Sequence, residues 1–148
     1  MLIDRLRALS ATNSDWFTLD AARIRAFADA TEDWQFIHLD EDRAATTAFG
    51  GTVAHGFLTL SMLSAMSYQV VADLPGVKAS VNYGFDRIRF VSPVHTGARV
   101  RGRFAVASVE EGPAPGLAMV HWDVVVEVED AEKPALVAQW ITRLELEE

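Results

Sequence analysis

The run from Val53 to Ala72 constrains this chain more than any other stretch. Phe57, Leu58, Leu60, Met62, Leu63, Met66 and Val70 fall on more than one face of a helix. A helix that is apolar nearly all round has to be buried, so something must wrap it. The run also carries His55, several hydroxyls and Gln69. That is too polar for a membrane span, which needs about 20 predominantly apolar residues. It reads as a buried core helix.

The second half of the chain offers the wrapping. Lys78 to Val91 alternates in part through Val81, Tyr83 and Phe85, then Ile88 and Phe90. Arg99 to Val109 alternates as Val100, Gly102, Phe104 and Val106. Leu117 to Glu129 and Ala135 to Leu146 are rich in Val, Ile and Trp, residues that favour strands. Glu110 to Gly116, with two prolines and two glycines, reads as a turn, and Asp130 to Pro134 as a hairpin loop. The expectation is a meander of four long strands after a helical first half. Helices followed by strands give an α+β domain, here one long central helix against one curved antiparallel sheet.

Ahead of the apolar run the signals are local. Residues 1 to 13 read as an amphipathic lead-in and Asp15 to Leu19 as a short strand. Asp20 can cap a helix with Ala21, Ile24, Phe27, Ala28 and Thr31 on one side. Asp40 can cap a second short helix with Glu41 and Asp42 in its first turn, ended by Phe49-Gly50-Gly51. The 148 residues fit one domain, 1–148, and half of them are apolar, enough for a sizeable core.

The formal charge of -8 argues against nucleic acid as a partner, since phosphate binding needs a basic surface. There is no cysteine, which excludes disulfides, thiolate metal sites and a cysteine nucleophile. That fits a cytoplasmic location, as does an N-terminus without a signal-peptide pattern. No G-x-G-x-x-G or phosphate-loop pattern points to a nucleotide cofactor.

Three stretches carry chemistry. In Asp33-Trp34-Gln35-Phe36-Ile37-His38 a carboxylate and an imidazole lie five residues apart, within reach of one point if a loop folds between them. His55-Gly56 opens the buried helix, whose free N–H groups favour developing negative charge. Phe85-Asp86-Arg87-Ile88-Arg89-Phe90 puts Arg87 and Arg89 on one side of a strand. Together they describe chemistry on a carbonyl compound, with a cationic rim for a phosphate-bearing tail. Each also has a plain reading: a capping pair, a backbone glycine, a solvated strand face. Asp40, Glu41 and Asp42 read as a helix start rather than a metal site, and His95 and His121 as surface or packing residues. Trp34 reads as a loop aromatic or a pocket wall, and Ser61 and Ser64 as hydroxyls bonding back to the helix.

The run Glu32 to Asp40, followed by Phe49 to Ser61 with its Ala54-His55-Gly56, resembles the MaoC-like family of (R)-specific enoyl-CoA hydratases. That family's pattern reads roughly G-D-x-N-P-[IL]-H-x-D and then A-H-G before an apolar helix. Val81 to Val94 looks like the family's strand along the thioester site. Glu32, Gln35 and Phe36 depart from the pattern, and the variant resembles the nodulation protein N-like branch. The resemblance implies a hotdog fold and an edge-to-edge homodimer. It implies Asp33 and His38 as the catalytic pair, Gly56 as the amide donor to the thioester oxygen, and Ser64 as a hydrogen-bonding support for Asp33.

The activity implied is reversible addition of water to a trans-2-enoyl thioester, giving the (R)-3-hydroxyacyl thioester. The substrate is an acyl thioester of coenzyme A or a carrier protein, and no metal or redox cofactor is expected. The acyl tail is expected along the helix wall near Phe57 and Leu60, and the phosphopantetheine arm past Arg87 or Arg89. Neither Asp33 nor His38 is expected in the core. A thioesterase on the same fold and a non-catalytic acyl-thioester binding module are the competing readings.

Overall fold

The computed structural model describes residues 1–71 and 74–147. Along the chain come α1 (Leu2–Arg7), β1 (Thr12–Asn13), β2 (Phe17–Thr18), α2 (Ala21–Thr31), α3 (Phe36–Leu39) and α4 (Glu41–Ala45). The buried helix follows as α5 (Gly56–Ser61) and α6 (Leu63–Val71), and then β3 (Val77–Phe90), β4 (Arg99–Glu111), β5 (Leu117–Val128) and β6 (Leu136–Leu146).

The sheet is antiparallel and wraps the apolar helix. On β5 every second residue from Ala118 to Val126 is buried, and β6 buries Leu136, Ala138, Trp140 and Leu144 in the same rhythm. Period-two alternation sends these side chains to one face of the sheet, where Leu63 and Met66 of α6 are fully buried against them. Gly102 on β4 marks the closest approach. A Cβ there would run into the Phe104 ring and lie 3.0 Å from the Met66 sulfur. Register shifts between β3 and β6, and one between Val106 and Ser108 on β4, bend the strands around the helix.

The strand order differs from a simple meander. It is β1-β4-β5-β6-β3, with β2 also pairing β4, so β3 lies against β6 and not beside β4. The chain from β3 to β4 therefore crosses from one edge of the sheet to the other. On the way it runs past the residues before α5: Ala54 N donates to Val94 O at 2.7 Å, Thr96 N to Thr52 O at 3.1 Å, and Val53 bridges His95. This crossing ties down the entrance to the buried helix.

The helical expectations hold with adjustments. Asp20 caps α2 by accepting from Arg23 N at 2.8 Å, and Asp40 caps α4 by accepting from Arg43 N at 3.1 Å. The second short helix stops at Ala45; Thr46 to Gly51 form turns rather than helix. The buried helix begins at Gly56, not Val53, because Val53 and Ala54 spend their backbone groups on Ile37 and Val94. Its axis is interrupted at Met62, just past Ser61, whose hydroxyl bonds back to Phe57 O at 2.7 Å. The expected end at Ala72 lies outside the described residues.

Candidate active site

The site starts at the end of α2. Glu32 adopts φ 60°, a left-handed cap, and Asp33 N turns back to Ala28 O at 3.1 Å. This turn sets Asp33 at the helix end, half-exposed, with its Oδ1 accepting from Gln35 N at 3.3 Å. The single helical turn α3 then carries the chain inward, so that His38 is buried at 9% exposure. That corrects two expectations: the segment between Asp33 and His38 is not all loop, and His38 belongs to the interior. The helical turn swings the imidazole toward the crossing segment while leaving the carboxylate near solvent.

His38 Nδ1 lies 2.7 Å from the carbonyl oxygen of Val53. A carbonyl only accepts, so Nδ1 carries the proton and a neutral ring leaves Nε2 with its lone pair. Burial pushes the imidazole below its ordinary value of 6.5, and the neighbouring His55 acts in the same direction. The Val53 carbonyl and the Asp33 carboxylate oppose the shift without cancelling it.

His55, directly before α5, is the third member of the cluster. Its ring stacks on that of His38 with centroids 3.7 Å apart and an interplanar angle of 25°, and Phe27 packs on it at 4.9 Å. Its Nε2 donates to the backbone oxygen of Asp33 at 3.0 Å and lies 4.0 Å from Asp33 Oδ2. Ligand-type atoms of Asp33, His38 and His55 all fall within 4.8 Å of one another. One nitrogen of each imidazole already faces a backbone carbonyl.

A pocket of about 270 Å³ adjoins His38, which lines it with Gly56, Thr59 and Phe90 together with Ile37, Val53 and Val94; Asp33 is not among the lining residues. Gly56 opens α5, and among the described residues nothing accepts its N–H. A Cβ at this position would sit 3.0 Å from the Phe90 ring, so any side chain here would press on that ring.

Other expected site residues stand apart. Phe57 is 67% exposed, meeting Phe90 edge-on at 6.1 Å, and Leu60 packs on the core; neither lines the pocket. Helical geometry gives the reason: Gly56 and Thr59 share one face, and Phe57 and Leu60 lie on the next. Thr59 lines the pocket as the third residue after Gly56, a position that helical spacing alone marks as sharing its face. Among the described residues no hydrogen bond joins Ser64 to Asp33; the Ser64 carbonyl accepts from Ser67 Oγ at 2.8 Å. Arg87 and Arg89 do share a strand face, opposite Gln139 and Val137, but it is the outer face. Arg87 lines a separate hollow there with Asp123 and Gln139, and Arg89 bonds Ile88 O at 2.8 Å.

Trp34 is a loop aromatic, 53% exposed and held by Asp29 at 2.8 Å. His95 is an exposed packing residue donating to Phe49 O at 2.9 Å.

A curved antiparallel sheet around a central helix, with a carboxylate and an imidazole at that helix's entrance, defines a hotdog domain of the hydratase type. The MaoC like domain matches residues 9–126, and the chain belongs to this MaoC-like dehydratase family. Nodulation protein N of Rhizobium leguminosarum bv. viciae is 48% identical over 135 residues, covering 90% of this chain and 83% of that protein. The 3-hydroxyacyl-thioester dehydratase Z of Mycobacterium tuberculosis is 43% identical over 130 residues, covering 88% and 85%. The solved (R)-hydratase from A. caviae involved in PHA biosynthesis aligns with a TM-score of 0.69 at 27% identity, covering 90% of this chain and 92% of that one. No helix among the described residues is long and apolar enough to cross a membrane.

Proposed function

We propose that this protein is an (R)-specific enoyl-thioester hydratase, adding water reversibly across the double bond of a trans-2-enoyl thioester. The observation that carries the reading is the approach of Asp33 and His38 within 4.8 Å beside a pocket that also holds the free N–H of Gly56. Groups that near to each other can share one hydrogen-bonded water.

In the forward direction the water oxygen bonds to C3 and its proton goes to His38 Nε2. The π electrons shift toward the thioester oxygen, whose growing charge the Gly56 N–H receives. A preorganised donor of this kind is worth about 2.7–4 kcal/mol in the transition state. The proton taken up by His38 passes to the Asp33 carboxylate, which delivers it to C2 on the face the water attacked, so both groups end as they began. No electron leaves the substrate, so the reaction needs no redox cofactor.

The acyl chain takes the apolar pocket between Thr59, Val53 and Phe90. The phosphopantetheine arm of coenzyme A, or of a carrier protein, leaves past Phe90, where Arg89 and Arg87 follow on the outer face of β3. A second copy of the chain joins along β3, an edge strand of 14 residues that pairs with β6 alone among the described strands and exposes Tyr83 at 67%. A cytoplasmic location is part of the same reading.

The test is to supply crotonyl-CoA and longer enoyl-CoA esters while following both the enoyl absorbance and free thiol. Absorbance loss without thiol, giving the (R)-3-hydroxyacyl ester, is the expected result. Thiol release would make the protein a thioesterase, and tight binding without turnover at any chain length would make it a binding module.

A further inference from the structure

His55 is the most costly side chain near the pair to keep where it is. It is 2% exposed, and its Nδ1 is buried with no hydrogen-bond partner among the described residues. A buried nitrogen left unpaired opposes folding, and a leucine or phenylalanine would fill the same space without that penalty. Something other than packing therefore accounts for an imidazole here.

Its other contacts say what. One ring touches both members of the pair in different ways. Its face lies against His38, centroids 3.7 Å apart, and its Nε2–H reaches the Asp33 carbonyl at 3.0 Å with the Asp33 carboxylate 4.0 Å away. Asp33 is otherwise loosely held: its side chain is half-exposed and accepts one long bond from Gln35 N at 3.3 Å. His38 is anchored independently through Val53. Phe27 of α2 also packs on the His55 ring, at 4.9 Å between centroids.

We propose that His55 is a positioning residue, which fixes the distance from the Asp33 carboxylate to His38 by holding the Asp33 backbone with its Nε2–H while bearing on the His38 ring. It is 2% exposed, whereas the Asp33 side chain is half-exposed, so it acts through the pair and not on the substrate. The proposal rests on the hydratase reading for its kinetic consequence but not for its geometry.

Two variants separate the donor from the volume. His55→Gln places an amide N–H near the position of Nε2. His55→Phe keeps a stacked ring and removes the donor. With both folded by thermal melting, the expected result on crotonyl-CoA is that His55→Gln keeps kcat within about tenfold. His55→Phe loses about 10²-fold or more in kcat, the scale of a positioned acid–base pair, with KM little changed. Crystal structures of the two variants should show the Asp33–His38 approach kept in His55→Gln and opened in His55→Phe. If His55→Phe does not fold, His55→Met, flexible and without a donor, takes its place. Equal losses in both variants, or an unchanged pair geometry in the variant without a donor, would overturn the proposal. An inactive wild-type protein would instead remove the hydratase reading, and the crystallographic separation would then decide the role of His55 alone.

Discussion

The 2.7 Å bond from His38 Nδ1 to the Val53 carbonyl decides which nitrogen of this ring is available for chemistry. With Nδ1 committed, Nε2 is the nitrogen left to serve as base in the proposed reaction, and burial keeps it unprotonated at neutral pH. The rate of hydration under kcat/KM conditions should therefore hold on the acid side of neutrality. It should fall only as pH drops through a value below the ordinary 6.5 of histidine. A pH profile with its acidic limb above 6.5 would contradict this. The same shift acts on folding. The unfolded chain takes up the proton first, so this contribution to stability is complete above the unfolded value and is lost as pH falls toward the folded one.

Glu41 fastens the segment that presents the Val53 carbonyl. Its Oε2 accepts from Thr52 Oγ1 at 2.7 Å and from Thr52 N at 3.1 Å, and the Thr52 hydroxyl also meets Thr96 Oγ1 at 2.7 Å. These bonds, the hydroxyl's first, hold the carboxyl group below its ordinary value of 4.5. A carboxylate with a lowered folded value stabilises above its unfolded value and loses that contribution as pH falls through the folded one. Glu41→Gln should thus melt below wild type near neutral pH, and the two curves should converge at acid pH. Parallel curves across that window would show that the charge on Glu41 contributes nothing.

Glu32 occupies a left-handed cap at φ 60°, where the family pattern quoted for the sequence has glycine. An L side chain in that region costs roughly 1–2 kcal/mol, and glycine gives back part of this through its freer unfolded chain. Glu32→Gly should raise stability by about 0.5–1 kcal/mol, read as a higher melting temperature. A lower melting temperature would mean that the glutamate side chain makes a compensating contact.

The sequence made the main architecture legible because its signals were local. The period-two rhythm of Val100, Gly102 and Phe104 and the caps at Asp20 and Asp40 depend on neighbours in the chain, and each reappears in the fold. What it could not show was set by distant partners. The place of β3 beside β6 follows from how the sheet closes around the helix, and no turn motif encodes it. The helix starts at Gly56 because Val94 and Ile37 claim the preceding backbone. For the candidate site, the sequence pointed to Asp33, His38 and Gly56 through the pattern they share with the family it resembles. The stack of His55 on His38 was not, since it joins residues 17 apart through a crossing made elsewhere. The burial of Arg-bearing and Arg-free faces of β3 likewise became plain only once β6 lay beside it.

The most direct test of the account compares enoyl-CoA hydration by wild type, Asp33→Asn and His38→Asn, with melting curves measured alongside. Asparagine at position 38 keeps a donor near the Val53 carbonyl while removing the free nitrogen, so the interior should stay intact. Both variants should lose about 10²–10⁴-fold in kcat/KM with cooperative unfolding preserved. Either one turning over at a rate close to wild type would contradict the assignment of Asp33 and His38 as the groups that hold and activate the water.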